Sequence, residues 1–288
     1  MNTKQYTIKD IQECILSIAK EFDSFCREHG ITYYLMGGSA LGAMRHKGFI
    51  PWDDDLDVFM TVENYNKFLK LFKEKGDKKY FLQEENTPEF PLFLSRVCLN
   101  GTTMVSDEFK YNYKQHHNVF IDIMCLYSVP NSMPLRLIQY VASQLLRVNA
   151  LALSNFSQDS KLKDLTMLLS KVLVNKYTRP LLVRLVHSFE DKSTTFVGHF
   201  FGRARYPRTN FLREYIGDET PRYVDFEDFK MPVFQHVESY LEARFGKKWM
   251  EMPSQKTRDQ YKVHSNFVDL EKDYTEYMNK EKTKWLYE

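Results

Sequence analysis

Four aspartates, Asp53, Asp54, Asp55 and Asp57, crowd into the end of "LMGGSALGAMRHKGFIPWDDDLDVFM", residues 35–60 of the chain. Like charges at such spacing repel unless something positive holds them. The flanking residues narrow the local structure as well. In a strand, residues two apart point to the same side. A strand over 55–60 therefore puts Asp55 and Asp57 on one face and Leu56, Val58 and Met60 on the other. Two oxygen ligands on one rigid strand suit magnesium, which keeps several waters and shares its other positions with phosphates. That chemistry is phosphoryl transfer, in which metal ions offset charge on attacking and leaving oxygens.

The residues upstream supply a complementary half. Residues 31–36 are a β-branched and aromatic run and read as a strand. Gly37-Gly38 turns the chain, and Ser39 can cap a short helix through Met44. Backbone N–H groups and the positive dipole end of that helix can hold phosphate oxygens. Arg45, His46 and Lys47 follow as candidate phosphate partners. Trp52 either stacks on a ligand's base or alcohol head group, or wedges its loop into the core. A third carboxylate belongs on a neighbouring strand, and Asp122, inside an apolar run over 119–126, is the candidate. An aspartate between Ile121 and Ile123 needs a partner if it is buried. Asp53 and Asp54 divide between support for the acidic pair and plain loop structure.

The rest of the chain frames this segment. Ile11, Ile15, Ile18, Phe22 and Cys26 recur at helical spacing over 8–28, with Gly30 as a stop. Thr61 caps an amphipathic helix that ends near Gly76. Residues 93–99 and 102–105, joined by Asn100-Gly101, read as a hairpin. Mixed strands and helices make the fold class α+β (α/β mixed), with a mixed sheet. Residues 133–190 turn to helical patterns, broken at 157–160 and at Pro180. Short strand-like pieces follow Tyr206, and a helix over 237–245 stops at Gly246. The expected organisation is one unit over 1–288: a core over 1–130, an inserted helical region over 131–205, and 206–288 packed on the core.

From Pro134 to His187 the basic residues Arg136, Arg147, Lys161, Lys163, Lys171, Lys176, Arg179 and Arg184 face only Asp159 and Asp164. Two readings are open: core helices with a solvated rim, slightly the better fit, or peripheral contact with an anionic membrane through 134–188. Arg96, Lys110 and the His116-His117 pair are candidates for phosphate contact, but read more readily as solvated faces for the first two and an exposed loop for the pair. Tyr111, Tyr113, Tyr206 and Tyr223 are candidates for a cage around a choline-like cation, though most aromatics in any fold are core.

The formal net charge of +2 gives no reason to expect a nucleic-acid polymer as partner. Cys14, Cys26, Cys98 and Cys125 have no C-x-x-C spacing, which argues against a zinc cluster or a disulfide framework. With no apolar leader and no long uncharged apolar run, the expected location is cytoplasmic, at the inner face of the membrane if the basic helices touch it.

The order strand, Gly-Gly-Ser, helix, then alternating hydrophobic and Asp residues resembles the signature of polymerase-β-like nucleotidyltransferases, with Asp122 at the third carboxylate. The longer run "GGSALGAMRHKGFIPWDDDLDVFM" resembles the core motif of the LicD family, which includes bacterial phosphocholine transferases and, more distantly, fukutin and fukutin-related protein. The resemblance continues through "FIDIMCLYSVP" and "VDFEDFKMPVFQHVESYLEARFGKKWMEMP", and is least over about 133–205. Asp228 departs from it, since the family often has glycine there. The resemblance implies transfer of a phospho-alcohol from CDP-choline or a similar CDP-alcohol to a glycan hydroxyl, lipid-linked in one version, with CMP released. Asp55, Asp57 and Asp122 would hold magnesium, or manganese in its place, and Asp122 would also take the acceptor's proton. The alternatives are a CDP-ribitol or CDP-glycerol sibling, a true nucleotidyltransferase moving NMP, and a non-catalytic relative, which the intact carboxylate set disfavours.

Overall fold

A computed structural model describes residues 5–156, 160–190, 193–199, 210–258, 260–261, 263–278 and 285–286. Helix α1 (Ile8–Glu28) starts at a capping box between Thr7 and Asp10. Its Ile11, Ile15, Ile18, Phe22 and Cys26 are all buried, as their spacing predicts. Strand β1 is shorter than expected, Tyr34–Leu35. Helix α2 (Gly37–His46), strand β2 (Asp57–Thr61) and helix α3 (Val62–Lys75) follow. Strands β3 (Tyr80–Gln83), β4 (Ser95–Leu99), β5 (Thr103–Val105) and the long β6 (Val119–Val129) complete the first half.

The main sheet runs β1-β2-β6-β4-β3. β2 and β6 are parallel, and the other pairings along this path are antiparallel, so the sheet is mixed as expected. α1 packs over β6. One expectation fails here. The chain does turn at Gly101, where φ is +79°, but β5 does not fold back on β4. Both edges of β4 are already taken, by β3 and β6. β5 pairs instead with β11 (Phe267–Asp269), which brings the C-terminal segment to the core.

Helices α4 (Met133–Leu153), α5 (Lys161–Leu173) and α6 (Thr178–His187) form the helical region. Pro180 does not break it. The proline sits in the first turn of α6, where its missing N–H costs nothing. Residues 157–159, including Asp159, lie outside the described residues, as does Tyr206. The core-helix reading fails for α5: all its described side chains are exposed except Met167 and Ser170. No described helix is long and apolar enough to cross a membrane.

Beyond these lie β7 (Phe196–Gly198), β8 (Asn210–Leu212), the hairpin of β9 (Arg222–Phe226) and β10 (Phe229–Val233), α7 (Val237–Phe245) and α8 (Gln255–Arg258). β7 extends the main sheet from β6, and β8 pairs with β7. Gly246 ends α7 at φ +88°. β9 and α7 both pack on α2. The C-terminal part is thereby set against the glycine segment.

Candidate functional site

The glycine segment differs in detail from the expected turn. Gly37 and Gly38 are the first residues of α2, Met36 is its N-cap, and Ser39 lies inside the first turn. The Ser39 hydroxyl caps nothing. It accepts a 2.9 Å hydrogen bond from Asp57 N. Met36 N donates to Asp57 O at 2.9 Å. The backbone of Asp57 is thus tied on both sides to the start of α2. The first turn of any helix leaves N–H groups that no intrahelical carbonyl reaches. That of Gly37 is taken up by the Tyr240 hydroxyl of α7 at 3.0 Å, so Gly38 and Ser39 carry the turn's remaining donors.

Asp57 and Asp122 stand opposite each other in the parallel β2–β6 register. Asp55 lies just before β2, in the extended segment where Asp122 N donates to Leu56 O at 3.0 Å. Asp53 completes the acidic face: a β-carbon placed on Gly38 would come within 3.2 Å of its Oδ2. Burial pushes Asp55 up to about 8, with Asp53 and Asp122 adding to the effect and His264 opposing it. Burial likewise holds Asp57 well above the usual carboxylate range, reinforced by Asp55 and Asp122 and opposed by Arg96. Asp53 is raised by burial, with His264 pulling it back. Such a face resists ionisation until a cation arrives.

Two further residues belong here, one expected on a solvated face and one without any signal in the sequence. Arg96 is not on a solvated face but buried, and its Nε donates to Asp122 Oδ1 at 2.7 Å. Its guanidinium lies 3.7 Å from the Phe120 ring centroid and 5.1 Å from that of Phe90. His264 comes from the C-terminal segment. Asp54, with no exposed surface, accepts from His264 N (2.8 Å), His264 Nδ1 (3.0 Å), Ser265 N (3.0 Å) and Ser265 Oγ (2.6 Å). The bond to Asp54 raises His264 to about 9 against the effect of burial. Asp54 is therefore a structural clamp, and it delivers an imidazole to the acidic face. His264 Nδ1 lies 3.5 Å from Asp55 Oδ2. Among the described residues, Asp53, Asp55 and His264 are the group whose ligand atoms converge within 4.8 Å of one another. Asp57 and Asp122 do not join a group that tight.

The basic trio is placed away from the glycines. Arg45 and His46 occupy the last turn of α2 and Lys47 is its C-cap, roughly 12 Å along the axis from Gly37 at 1.5 Å per residue. Arg45 Nη1 donates to Trp249 O and Glu251 O at 3.2 and 3.3 Å, and its Nε donates to His46 Nε2. Lys47 adopts a left-handed φ of 58° and its carbonyl accepts from Glu227 N. Trp52 packs edge-on to His46, with Arg258 of α8 5.6 Å from its ring centroid, which favours the wedge over a free stacking platform. His117 is buried rather than in an exposed loop, and His116 stacks on Phe81. A cavity of about 280 Å³ opens at the other end of β2, by Thr61, Ser128 and Arg213, and its lining includes none of the site's aspartates.

The donor set is chemically coherent. Carboxylate oxygens from Asp53, Asp55, Asp57 and Asp122 could hold a hard divalent cation such as magnesium or manganese, while His264, kept protonated by Asp54, adds positive charge beside them. A mixed α+β sheet with such a face beside a helix N-terminus has the features of a phosphoryl-transfer enzyme. Comparison with known proteins makes this specific. Residues 30–144 match the LicD/FKTN/FKRP nucleotidyltransferase domain. It is 23% identical over 272 residues, 92% of this chain and 99% of the relative, to the lipopolysaccharide cholinephosphotransferase LicD of Haemophilus influenzae. It is 29% identical over 98 residues to the ribitol 5-phosphate transferase FKRP of Homo sapiens, covering 34% of this chain but only 17% of that one. The mouse FKRP match has the same extent. These relatives support a LicD-family phosphotransferase.

Proposed function

We propose that the protein transfers phosphocholine, or a similar phospho-alcohol, from a CDP-alcohol to a hydroxyl of a cell-surface glycan precursor, and that CMP leaves. The observation that carries this reading is the pair Asp57 and Asp122, in register on parallel strands with Asp57 tied to the first turn of α2. The cholinephosphotransferase and ribitol 5-phosphate transferase names of the relatives support the class of group moved.

Asp55, Asp57 and Asp122 would hold the magnesium, with Asp53 and His264 beside them; the ion's part is to offset charge on the donor's diphosphate. Gly38 and Ser39 N–H bind phosphate oxygens at the positive end of α2. Asp122, oriented by Arg96, accepts the proton of the acceptor hydroxyl. The hydroxyl oxygen bonds to the phosphorus that bears the alcohol, the bond from that phosphorus to the bridging oxygen breaks, and CMP carries away the electron pair. The four free cysteines suit a reducing cytoplasm.

Thermal shifts with CDP-choline, CDP-ribitol, CDP-glycerol, CTP and ATP, each with magnesium, test the donor. A ligand that binds only the folded state raises its melting temperature by mass action. One CDP-alcohol is expected to raise it most. Larger shifts with the triphosphates would move the reading to nucleotidyl transfer.

A further inference from the structure

The apolar face of α5 looks away from the protein. Leu162, Leu165, Leu168, Leu169, Val172 and Leu173 are between 51 and 73% exposed. At about 100° per residue their spacing gathers them into one arc. Met167 and Ser170, the side that touches the protein, fall nearly opposite that arc. Asn149 of α4 anchors this inner side by donating to Ser170 O and Val174 O, both at 3.2 Å. More than half of the large apolar side chains that the described residues leave exposed lie between Met133 and Leu181. A contiguous apolar surface of that kind marks a binding face.

The charge around it identifies the occupant. Residues 160–189 contain six lysines and arginines and a single acid, Asp164, although the whole chain is only +2. Lys163, Lys171, Lys176 and Arg184 are exposed. A helix with an apolar arc flanked by lysines lies in the interface of an anionic bilayer, where the arc enters the acyl boundary and the lysine stems snorkel to the head groups. A second copy of the chain fits less well, because a symmetric contact would set this basic surface against itself.

We propose that α5 docks flat on an anionic phospholipid surface, holding the protein at the membrane without a spanning helix. This surface is separate from the carboxylate site and does not depend on the transferase reading. Flotation with vesicles of phosphatidylcholine alone, and of phosphatidylcholine with equimolar phosphatidylglycerol, tests it. The wild-type chain is expected to float with the mixed vesicles, less so at high salt. Leu165→Glu/Leu169→Glu/Val172→Glu, which alters only exposed positions, should lower partitioning on the order of a hundredfold with an unchanged melting temperature. Lys163→Ser/Lys171→Ser/Lys176→Ser, which leaves the apolar arc intact, should lower it on the order of tenfold or more. Wild-type protein that ignores both vesicle types, or binding that neither variant changes, overturns the proposal. So does a dimer mass in light scattering that the glutamate variant converts to a monomer, since the occupant would then be a second copy.

Discussion

Arg96 and Asp122 face each other in register across β4 and β6, joined by a 2.7 Å charge-assisted hydrogen bond between two largely buried side chains. Phe90 and Phe120 hold the guanidinium plane, so Arg96 fixes where Asp122 points. Lysine keeps the charge but lacks the planar fork. Arg96→Lys is therefore expected to fold, and to lower kcat about tenfold or more with little change in donor KM, because a small misplacement of a reacting group is costly. Steady-state kinetics on the two proteins decide it. An unchanged kcat would make Arg96 a packing residue only.

Gly38 and Gly42 separate site from scaffold within one helix. A β-carbon on Gly38 meets only Asp53 Oδ2, the movable end of a side chain, at 3.2 Å. On Gly42 it would meet the Gly48 carbonyl oxygen at 2.5 Å, which is backbone. Gly38→Val should weaken donor binding in calorimetry by roughly tenfold or more while changing stability by less than about 1 kcal/mol. Gly42→Ala should do the reverse, at a cost of about 1–3 kcal/mol from overpacking. Unchanged donor affinity in Gly38→Val would leave the first turn of α2 without a role in binding.

Glu85 sets a pH dependence away from the acidic face. Burial pushes its carboxyl up to about 8, while the Tyr65 and Tyr127 hydroxyls pull the other way less strongly. Its Oε2 is enclosed and has no hydrogen-bond partner. The folded state thus binds this proton more tightly than the unfolded chain. Its contribution to stability is fully present below about 4.5 and is lost as pH rises through about 8. Glu85→Gln is expected to gain stability over wild type at pH above 8, on the order of a few kcal/mol, and little at mildly acidic pH. Urea unfolding of both proteins across that range measures the difference. A gap that does not grow with pH would show that Glu85 is ionised in the fold.

The elements that the sequence makes legible are those whose pattern is local. α1 and α3 follow from apolar spacing, and β2 and β6 from aspartates set in apolar runs, which also bring Asp57 beside Asp122. Asn100-Gly101 signals a turn but not a partner, because the edges of β4 are filled by strands distant in sequence. Arg96 in isolation reads as an exposed strand residue; its meaning lies in a carboxylate 26 positions later. His264 carries no local signal at all, since Asp54, which positions it, is 210 residues away. The apolar periodicity of α5 is plain in the sequence, whereas its direction is set by where Asn149 anchors the helix. Arg45, His46 and Lys47 follow the glycines closely in sequence, yet a helix of 10 residues carries them to its far end.

Identifying the reaction products shows which bond breaks. The protein is incubated with magnesium, CDP-choline and a glycan acceptor, and in parallel with CTP or ATP, and the products are read by mass spectrometry. The expected products are CMP and a phosphocholine adduct on the acceptor, with no pyrophosphate from the triphosphates. Asp57→Asn should abolish the adduct, lowering turnover on the order of a thousandfold or more, while the melting temperature stays near that of wild type. Pyrophosphate together with an NMP adduct on the acceptor, or an Asp57→Asn protein as active as wild type, would contradict the proposed transfer.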